Sequence, residues 1–255
     1  MEEIRDRVLD RARIEPSDTV VDVGAGTGLL AFGAADRLDV GWIIALDMSV
    51  DCLEELLSLA QESGRSGIMY MLGDAVVLPL PDACADVAVT RSVLMYVDDT
   101  AEAARELHRV LRPGGRISLF EPVNRAGTFI ATAVDWSPLG GDLAWRVGEE
   151  WERYAAVTPL LRFDDVQLVE ELEGAGFEEL DVLVEDVGEE WVVTEESVDV
   201  RLEAVGAPGE PSLRARWSEA FTAAEVDALV GHLKSLAGTT IEFRRRAVFV
   251  AARKP

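Results

Sequence analysis

VVDVGAGTG, residues 20–28, places a glycine at every second position directly after an apolar run that is typical of a buried strand. Glycine at this density allows a ligand to approach the backbone closely. The next stretch, GLLAFGAADRL (28–38), has the apolar spacing of a helix. Because a helix N-terminus favours an anionic group, the sequence predicts a strand, a glycine loop and a helix that bind the anionic part of a ligand.

Asp47 ends the next apolar run, GWIIALD (41–47), where a carboxylate can accept hydrogen bonds from both hydroxyls of a ribose. A ligand that contains adenosine is therefore predicted. A Walker-type ATP site is excluded, because no Gly-Lys-Ser/Thr follows the loop. The glycines have the spacing GxGxG, and Leu29 stands where a GxGxxG dinucleotide fingerprint has its third glycine. A nicotinamide or flavin dinucleotide and S-adenosylmethionine remain as alternatives at this point.

Apolar runs at 19–23, 41–47, 67–72, 86–92 and 116–122 predict five strands that alternate with helices. This alternation indicates a parallel sheet with helices on both faces. Capping-box patterns at Asp164/Gln167 and Thr222/Glu225 predict two later helices, and strands are predicted at 177–187 and 240–253. Stretches 123–162 and 188–221, the second with a turn-rich GAPGEP (206–211), lack a clear period. We therefore expect one domain over 1–255 with two insertions.

The composition limits the partners and the location of the protein. The chain of 255 residues has 48 acidic against 24 basic residues, and its formal net charge of −24 opposes binding to nucleic acid or to an anionic membrane. Cys52 and Cys84 form no CxxC pattern, so no metal site is predicted. Neither a signal-peptide pattern nor a run of 18 apolar residues occurs. A cytoplasmic monomer or homodimer without membrane contact is expected.

Four further motifs follow the glycine loop in a fixed order: ALDMS (45–49), GDAVVLPLPD (73–82), DVAVTRSVLMYVDD (86–99) and LRPGGRISLFEP (111–122). With them the chain resembles the class I S-adenosylmethionine-dependent methyltransferases, especially the small-molecule type 11 branch that includes the ubiquinone/menaquinone C-methyltransferases. The resemblance implies a Rossmann-like, seven-stranded, mostly parallel α/β sheet whose last strand is antiparallel. It also implies S-adenosylmethionine as cofactor, a cofactor-binding half over 1–122, and insertions that form a substrate cap.

The resemblance further implies a role for individual residues. Asp47 would bind the ribose hydroxyls, Met48 would lie against adenine, and Asp74 would accept a hydrogen bond from the adenine amine. Asp22 would orient the loop and the amino group of the cofactor. The complete set of implied cofactor-binding residues is Asp22, Gly24, Ala25, Gly26, Thr27, Gly28, Asp47, Met48, Gly73, Asp74, Ala75, Thr90 and Arg91.

The methyl acceptor is expected to be a small, partly apolar molecule that the insertions bind. Five of the six tryptophans lie there, where they either line an apolar pocket or attach the insertions to the core; the predicted pocket residues are Trp136, Trp145, Trp151 and Trp191. In-line transfer needs a base only for an acceptor atom that carries a proton, and Tyr96, Glu121 and Asp135 are the candidates. An NAD(P)-dependent oxidoreductase and a non-catalytic S-adenosylmethionine-binding protein remain as alternative functions.

Overall fold

The computed structural model describes residues 1–206 and 209–255, which contain a seven-stranded sheet. Its strands are β1 (Thr19–Val23), β2 (Trp42–Asp47), β3 (Ile68–Leu72), β4 (Ala85–Arg91), β5 (Leu111–Pro122), β6 (Glu178–Val192) and β7 (Thr240–Arg253). They lie in the order β3-β2-β1-β4-β5-β7-β6. Neighbouring strands among β1 to β5 are parallel, and β7 runs antiparallel to β5. This confirms the predicted mostly parallel sheet with an antiparallel last strand.

The described residues form ten α-helices, and several begin at the predicted caps. The helices are α1 (Glu2–Ala12), α2 (Leu29–Ala35), α3 (Val50–Glu62), α4 (Thr100–Val110), α5 (Ile130–Ala133), α6 (Gly141–Val157), α7 (Asp165–Ala175), α8 (Glu195–Glu203), α9 (Leu213–Ala220) and α10 (Ala223–Ser235). Thr222 and Glu225 form the reciprocal capping box predicted for α10. Asp164 caps α7, but the Gln167 side chain donates to Glu171 instead of closing a capping box.

The chain divides into two compact units. Unit 1 comprises residues 1–123, 163–185 and 247–255, and unit 2 comprises residues 124–162 and 186–246. In unit 1, consecutive strand residues are buried on both faces of the sheet: Val20 and Val21 are fully buried, and Ile43 and Ile44 nearly so. A strand that is apolar at every position is typical of a parallel sheet covered by helices on both sides.

Unit 2 has its own core of aromatic and aliphatic side chains, to which Trp136, Trp191, Trp217 and Phe243 belong. Helices α6, α8 and α9 lie in stretches that the sequence predicted to be irregular. The 17-residue α6 buries only Val147 and Glu150, so it has no continuous apolar stripe that a periodicity argument could detect. Of the predicted GAPGEP turn, Ala207 and Pro208 lie outside the described residues.

Strand β5 begins five residues earlier than the sequence predicts. Ala85 pairs with Leu111 and Val87 pairs with Arg116, so residues 112–115 form an irregular excursion within the strand. Gly114 in this excursion has φ +80° and donates its N–H to the carbonyl of Lys254 at 2.9 Å. The RPGG motif therefore both ends the helical stretch and bulges the strand, as glycine in a strand commonly does.

Candidate functional site

The glycine loop after β1 presents its backbone at the carboxyl edge of the sheet. Gly24, Gly26 and Gly28 have φ values of +71°, +54° and +96°, which glycine adopts without steric cost. The N–H of Ala25 donates to the carbonyl of Leu46 at 2.8 Å and ties the loop to β2. A Cβ added at Gly26 would meet no atom of the described residues within 4 Å. The loop therefore leaves open space over its second glycine.

Asp47, at the end of β2, holds this loop in place. Its Oδ2 accepts a hydrogen bond from the N–H of Gly26 at 2.8 Å, and its Oδ1 accepts one from the N–H of Ser49 at 2.9 Å. These two bonds fix the orientation of the carboxylate. Each carboxylate oxygen has more than one acceptor position, so Asp47 can also accept hydrogen bonds from two hydroxyls of a ligand.

Asp22, on β1, is a buried carboxylate. It is 1% exposed, and neither of its oxygens is hydrogen-bonded within the described residues. Burial raises the pKa of Asp22 to about 7, and the nearby charge of Asp47 acts in the same direction. The N–H of Ala31 and the charge of Arg91 favour a lower pKa, although the Ala31 N–H lies outside hydrogen-bond geometry. An unpaired buried carboxylate is unfavourable, so this position suits a ligand that brings a cationic amine.

The ends of β2 and β3 carry two more of the predicted residues. Met48 follows β2 and is 70% exposed, so its thioether is available to a flat ligand. Asp74 follows β3, and its Oδ1 accepts the N–H of Val76 at 3.1 Å. Gly73 donates its N–H to the carbonyl of Asp47 at 3.0 Å, and a Cβ there would lie 2.8 Å from Pro79. Glycine is thus required where the two strand ends meet.

Thr90 and Arg91 lie at the end of β4, the strand next to β1. Thr90 is 2% exposed, and its hydroxyl has no partner within the described residues. In the sheet, β2 and β3 lie on one side of β1, and β4 lies on the other. The strand order therefore reverses between β1 and β4, and ligands of open α/β sheets bind in the crevice at the carboxyl ends of two such strands. Of the remaining predicted residues, Ala25, Gly28 and Ala75 are buried and Thr27 is exposed. The whole predicted cofactor set therefore lies in unit 1.

The three candidate bases have different surroundings. Glu121 is fully buried at the end of β5, where it accepts three backbone hydrogen bonds. Tyr96 is 43% exposed, and partial burial raises the pKa of its phenol, so it is protonated at neutral pH. Asp135 is an exposed residue of unit 2, and the N–H of Ser137 lowers the pKa of its carboxyl. Asp135 is thus a weaker base than an ordinary aspartate.

The predicted pocket tryptophans also differ in exposure. Trp136 and Trp191 are 6% and 4% exposed in the unit 2 core, whereas Trp145 is 60% exposed. Trp151 is partly exposed and packs against Phe129, with ring centroids 4.5 Å apart. Among the four, Trp151 therefore combines a fixed ring with an accessible surface.

Two features of the structure have no signal in the sequence. Val93 packs directly on Gly24, because a Cβ at Gly24 would lie 2.1 Å from Cγ2 of this valine. In unit 2, Arg216 stacks on the ring of Tyr154 at 3.6 Å and lies 3.5 Å from the buried carboxylate of Glu150. In the sequence, Val93 resembles an ordinary core residue and Arg216 an ordinary surface residue, so neither contact could be predicted.

Two negative findings apply to residues 1–206 and 209–255. No three His, Cys, Asp or Glu side chains in these ranges are arranged to hold a metal ion. None of the helices described there has both the length and the apolar composition needed to cross a membrane.

Known proteins similar to this chain identify its family. A family model described as a methyltransferase domain matches residues 21–119. The aklanonic acid methyltransferase DauC of Streptomyces sp. strain C5 is 30% identical over 180 residues, which are 68% of this chain and 81% of that protein. The chain belongs to the S-adenosylmethionine-dependent methyltransferases. The ubiquinone/menaquinone biosynthesis C-methyltransferase UbiE of Caulobacter sp. strain K31 is 30% identical to this methyltransferase over 188 residues, 70% of this chain and 75% of that protein.

The fold of the methyltransferase recurs in solved structures. YcgJ of Bacillus subtilis matches 100% of this chain and 99% of its own at a TM-score of 0.64, with 16% sequence identity. The predicted family, the predicted cofactor S-adenosylmethionine and the predicted enzyme class are confirmed. These relatives give no support to the oxidoreductase or to the non-catalytic binding protein.

Proposed function

We propose that the enzyme moves the methyl group of S-adenosylmethionine to a small, partly apolar molecule by in-line displacement. The observation that carries the site assignment is Asp22, whose buried carboxylate oxygens have no partner in the described protein. When bound, S-adenosylmethionine supplies an electrophilic methyl group on a sulfonium centre. The chain itself has to orient the cofactor and the acceptor and to exclude water.

The cofactor-binding residues are assigned as follows. Asp22 binds the α-ammonium group and thereby gains the partner that its burial requires. Asp47 accepts hydrogen bonds from the ribose hydroxyls through the lone pairs that Gly26 and Ser49 leave free. Met48 lies against the adenine ring, and Asp74 accepts a hydrogen bond from its amine. The open space over Gly26 admits the cofactor without a clash.

The acceptor is assigned to side chains of unit 2. The relatives are named for aklanonic acid and for ubiquinone/menaquinone biosynthesis, which points to small molecules with both apolar and polar parts. Trp151 offers a ring with an accessible face beside Phe129. The insertions 123–162 and 188–221 therefore form the substrate cap, and residues 1–122 form the cofactor-binding half. Where the acceptor atom carries a proton, the sequence predicts Tyr96, Glu121 and Asp135 as candidates for the base. Glu121 suits this role least, because its side chain is fully buried and both of its oxygens accept backbone hydrogen bonds.

Binding measurements and an acceptor screen test this function directly. Calorimetry should show binding of S-adenosylmethionine and of S-adenosylhomocysteine but not of NAD(P)H. Mass spectrometry of the purified protein should detect bound S-adenosylmethionine or its demethylated product, S-adenosylhomocysteine. A panel of phenolic, quinone and carboxylic-acid acceptors with labelled cofactor then identifies the substrate. Binding of NAD(P)H alone would refute the proposal.

Asp47→Asn tests the ribose assignment. The amide has only one oxygen for the two backbone donors of Gly26 and Ser49, and it carries no charge. We expect binding of S-adenosylmethionine to weaken about tenfold, because a hydrogen bond to a charged group contributes ~1.5–3 kcal/mol. Calorimetry measures the change, with Glu54→Gln on the exposed side of α3 as the control. An affinity equal to that of wild type would remove Asp47 from the site.

Trp151→Ala tests the acceptor assignment. Loss of the indole should raise the KM for the acceptor roughly tenfold, because aromatic side chains contribute much of the contact area at apolar sites. The affinity for S-adenosylmethionine should stay unchanged. Trp42→Ala, which removes a half-exposed tryptophan from β2, is the matched control. If both variants keep the wild-type KM, the acceptor does not contact Trp151.

The cytoplasmic location and the monomeric or homodimeric state remain predictions from the sequence. Fractionation of the native host tests the cytoplasmic location, and size-exclusion chromatography with light scattering measures the oligomeric state. A larger assembly or a membrane fraction would contradict them.

A further inference from the structure

Glu121 binds a whole turn of backbone through a single side chain. Its Oε1 accepts hydrogen bonds from the N–H groups of Val93 and Leu94 at 2.9 and 3.0 Å, and its Oε2 accepts one from Met95 at 3.2 Å. We propose that Glu121 is a positioning residue that holds the turn 93–95 so that Val93 packs on the glycine loop. The inference rests on the proposed binding of S-adenosylmethionine at that loop.

The turn reaches the glycine loop through Val93. A Cβ placed on Gly24 would lie 2.1 Å from Cγ2, 3.0 Å from Cγ1 and 3.1 Å from Cβ of this valine. The side chain of Val93 therefore occupies the space directly over Gly24. Because the three hydrogen bonds of Glu121 fix the backbone of residues 93–95, they also fix the surface on which the loop rests.

The turn needs this support because its own geometry is unfavourable. Ser92, the first residue after β4, has φ +56°, a conformation that residues other than glycine adopt at a cost. Besides the bonds to Glu121, the turn has hydrogen bonds from Ser92 N–H to the Phe120 carbonyl and from Tyr96 N–H to the Val93 carbonyl, both at 2.9 Å. Without Glu121, three successive N–H groups would lose their acceptor.

The same contacts argue against Glu121 as the base that removes a proton from the acceptor. Its side chain is fully buried, and both oxygens are bonded to backbone donors. Burial raises the pKa of Glu121 to about 7, whereas the three N–H donors and the charge of Arg91 favour the ionised form. A carboxylate in this environment orients a turn rather than exchanging protons with a substrate.

Glu121→Gln and Glu121→Ala separate the two roles. The amide oxygen of glutamine can accept two of the three N–H groups, so a positioning role predicts that affinity for S-adenosylmethionine falls about threefold in the first variant and at least tenfold in the second. The kcat of Glu121→Gln at saturating cofactor should stay within about threefold of wild type. Amide exchange at residues 93–95 should accelerate in both variants, and Glu54→Gln should change none of these values.

The opposite pattern would overturn the inference. A base role predicts that both variants lose kcat equally while their cofactor affinity and amide exchange remain those of wild type. If Glu121→Ala does not fold, Val93→Ala keeps the three backbone bonds but removes both Cγ methyl groups that pack over Gly24, and it should weaken cofactor binding about threefold. Failure of wild-type protein to bind S-adenosylmethionine would refute the proposed function instead, so the two failures are distinguishable.

Discussion

Gly26→Ala is expected to weaken binding of S-adenosylmethionine by roughly 10- to 100-fold, because one methyl group added to a filled site costs ~1–3 kcal/mol. The fold should survive, since a Cβ at this position meets no atom within 4 Å in the part of the chain that the structure describes. The remaining cost is the left-handed conformation, with φ +54°, which for alanine amounts to about 1–2 kcal/mol. Calorimetry and thermal unfolding measure the two effects separately.

Gly24→Ala, in contrast to Gly26→Ala, should cause a large loss of stability. The new Cβ would lie 2.1 Å from Cγ2 of Val93 and also needs φ +71°. Overpacking and the left-handed backbone together should lower the Tm by about 10 °C. Adding Val93→Ala removes the two clashing methyl carbons, so the double variant should recover part of that loss.

Gly64→Ala is the control for backbone strain. Gly64 has φ +66°, and a Cβ added there would meet no described atom within 4 Å; it lies just after the C-terminal end of α3, away from the glycine loop. We expect it to lose as much stability as Gly26→Ala and to keep full cofactor affinity. Equal cofactor affinity in the Gly26 and Gly64 variants would show that nothing binds over Gly26.

Asp22→Asn is expected to make the protein more stable and a poorer binder of its cofactor. The carboxylate is buried without a hydrogen-bond partner among residues 1–206 and 209–255, and its pKa is raised to about 7. Between about pH 4 and pH 7 the folded state keeps a proton that the unfolded state has lost, so this group lowers stability as the pH rises. At pH 8 the variant should melt about 5 °C above wild type, and the difference should disappear near pH 4.

Cofactor binding should change in the other direction. Asparagine cannot form a charge-assisted bond with the α-ammonium group, so the affinity for S-adenosylmethionine should fall about tenfold. Asp18→Asn is the matched control, because Asp18 is also buried in unit 1 but is bonded to Arg116 at 2.5 Å and to the N–H of Glu15 at 2.8 Å. That variant should lose stability. A lower Tm for Asp22→Asn at pH 8 would contradict the unpaired state of Asp22.

The sequence predicted the fold of unit 1 well because each element there carries a local signal. Apolar runs marked the parallel strands, the glycine loop marked the start of α2, and Asp164 marked the start of α7. The helices of unit 2 carry weaker signals: α6 buries two residues, and its glycines and aromatics obscure the 3.6-residue period. Their packing depends on contacts between distant parts of the chain, which no local pattern records.

The residues of the candidate site also divide into those with a local signal in the sequence and those without one. The aspartates and glycines of the cofactor set were predicted because their chemistry and spacing are unusual in a strand or loop. Val93 and the hydrogen bonds of Glu121 were not predicted, because they arise where the ends of β4 and β5 meet. A buried glutamate near the end of a strand is compatible with a base and with a residue that binds backbone N–H groups, and the three hydrogen bonds that Glu121 accepts distinguish the two roles.

The strand order has a consequence for synthesis on the ribosome. β6 lies at the edge of the sheet, and its single neighbour there is β7, which follows it in the chain by nearly fifty residues. A nascent chain therefore exposes β6 as an unpaired strand until β7 emerges. Seven of the 15 residues of β6 are acidic, and like charges discourage edge-to-edge pairing between chains. We therefore expect the acidic residues of β6 to oppose pairing between nascent chains until β7 is available.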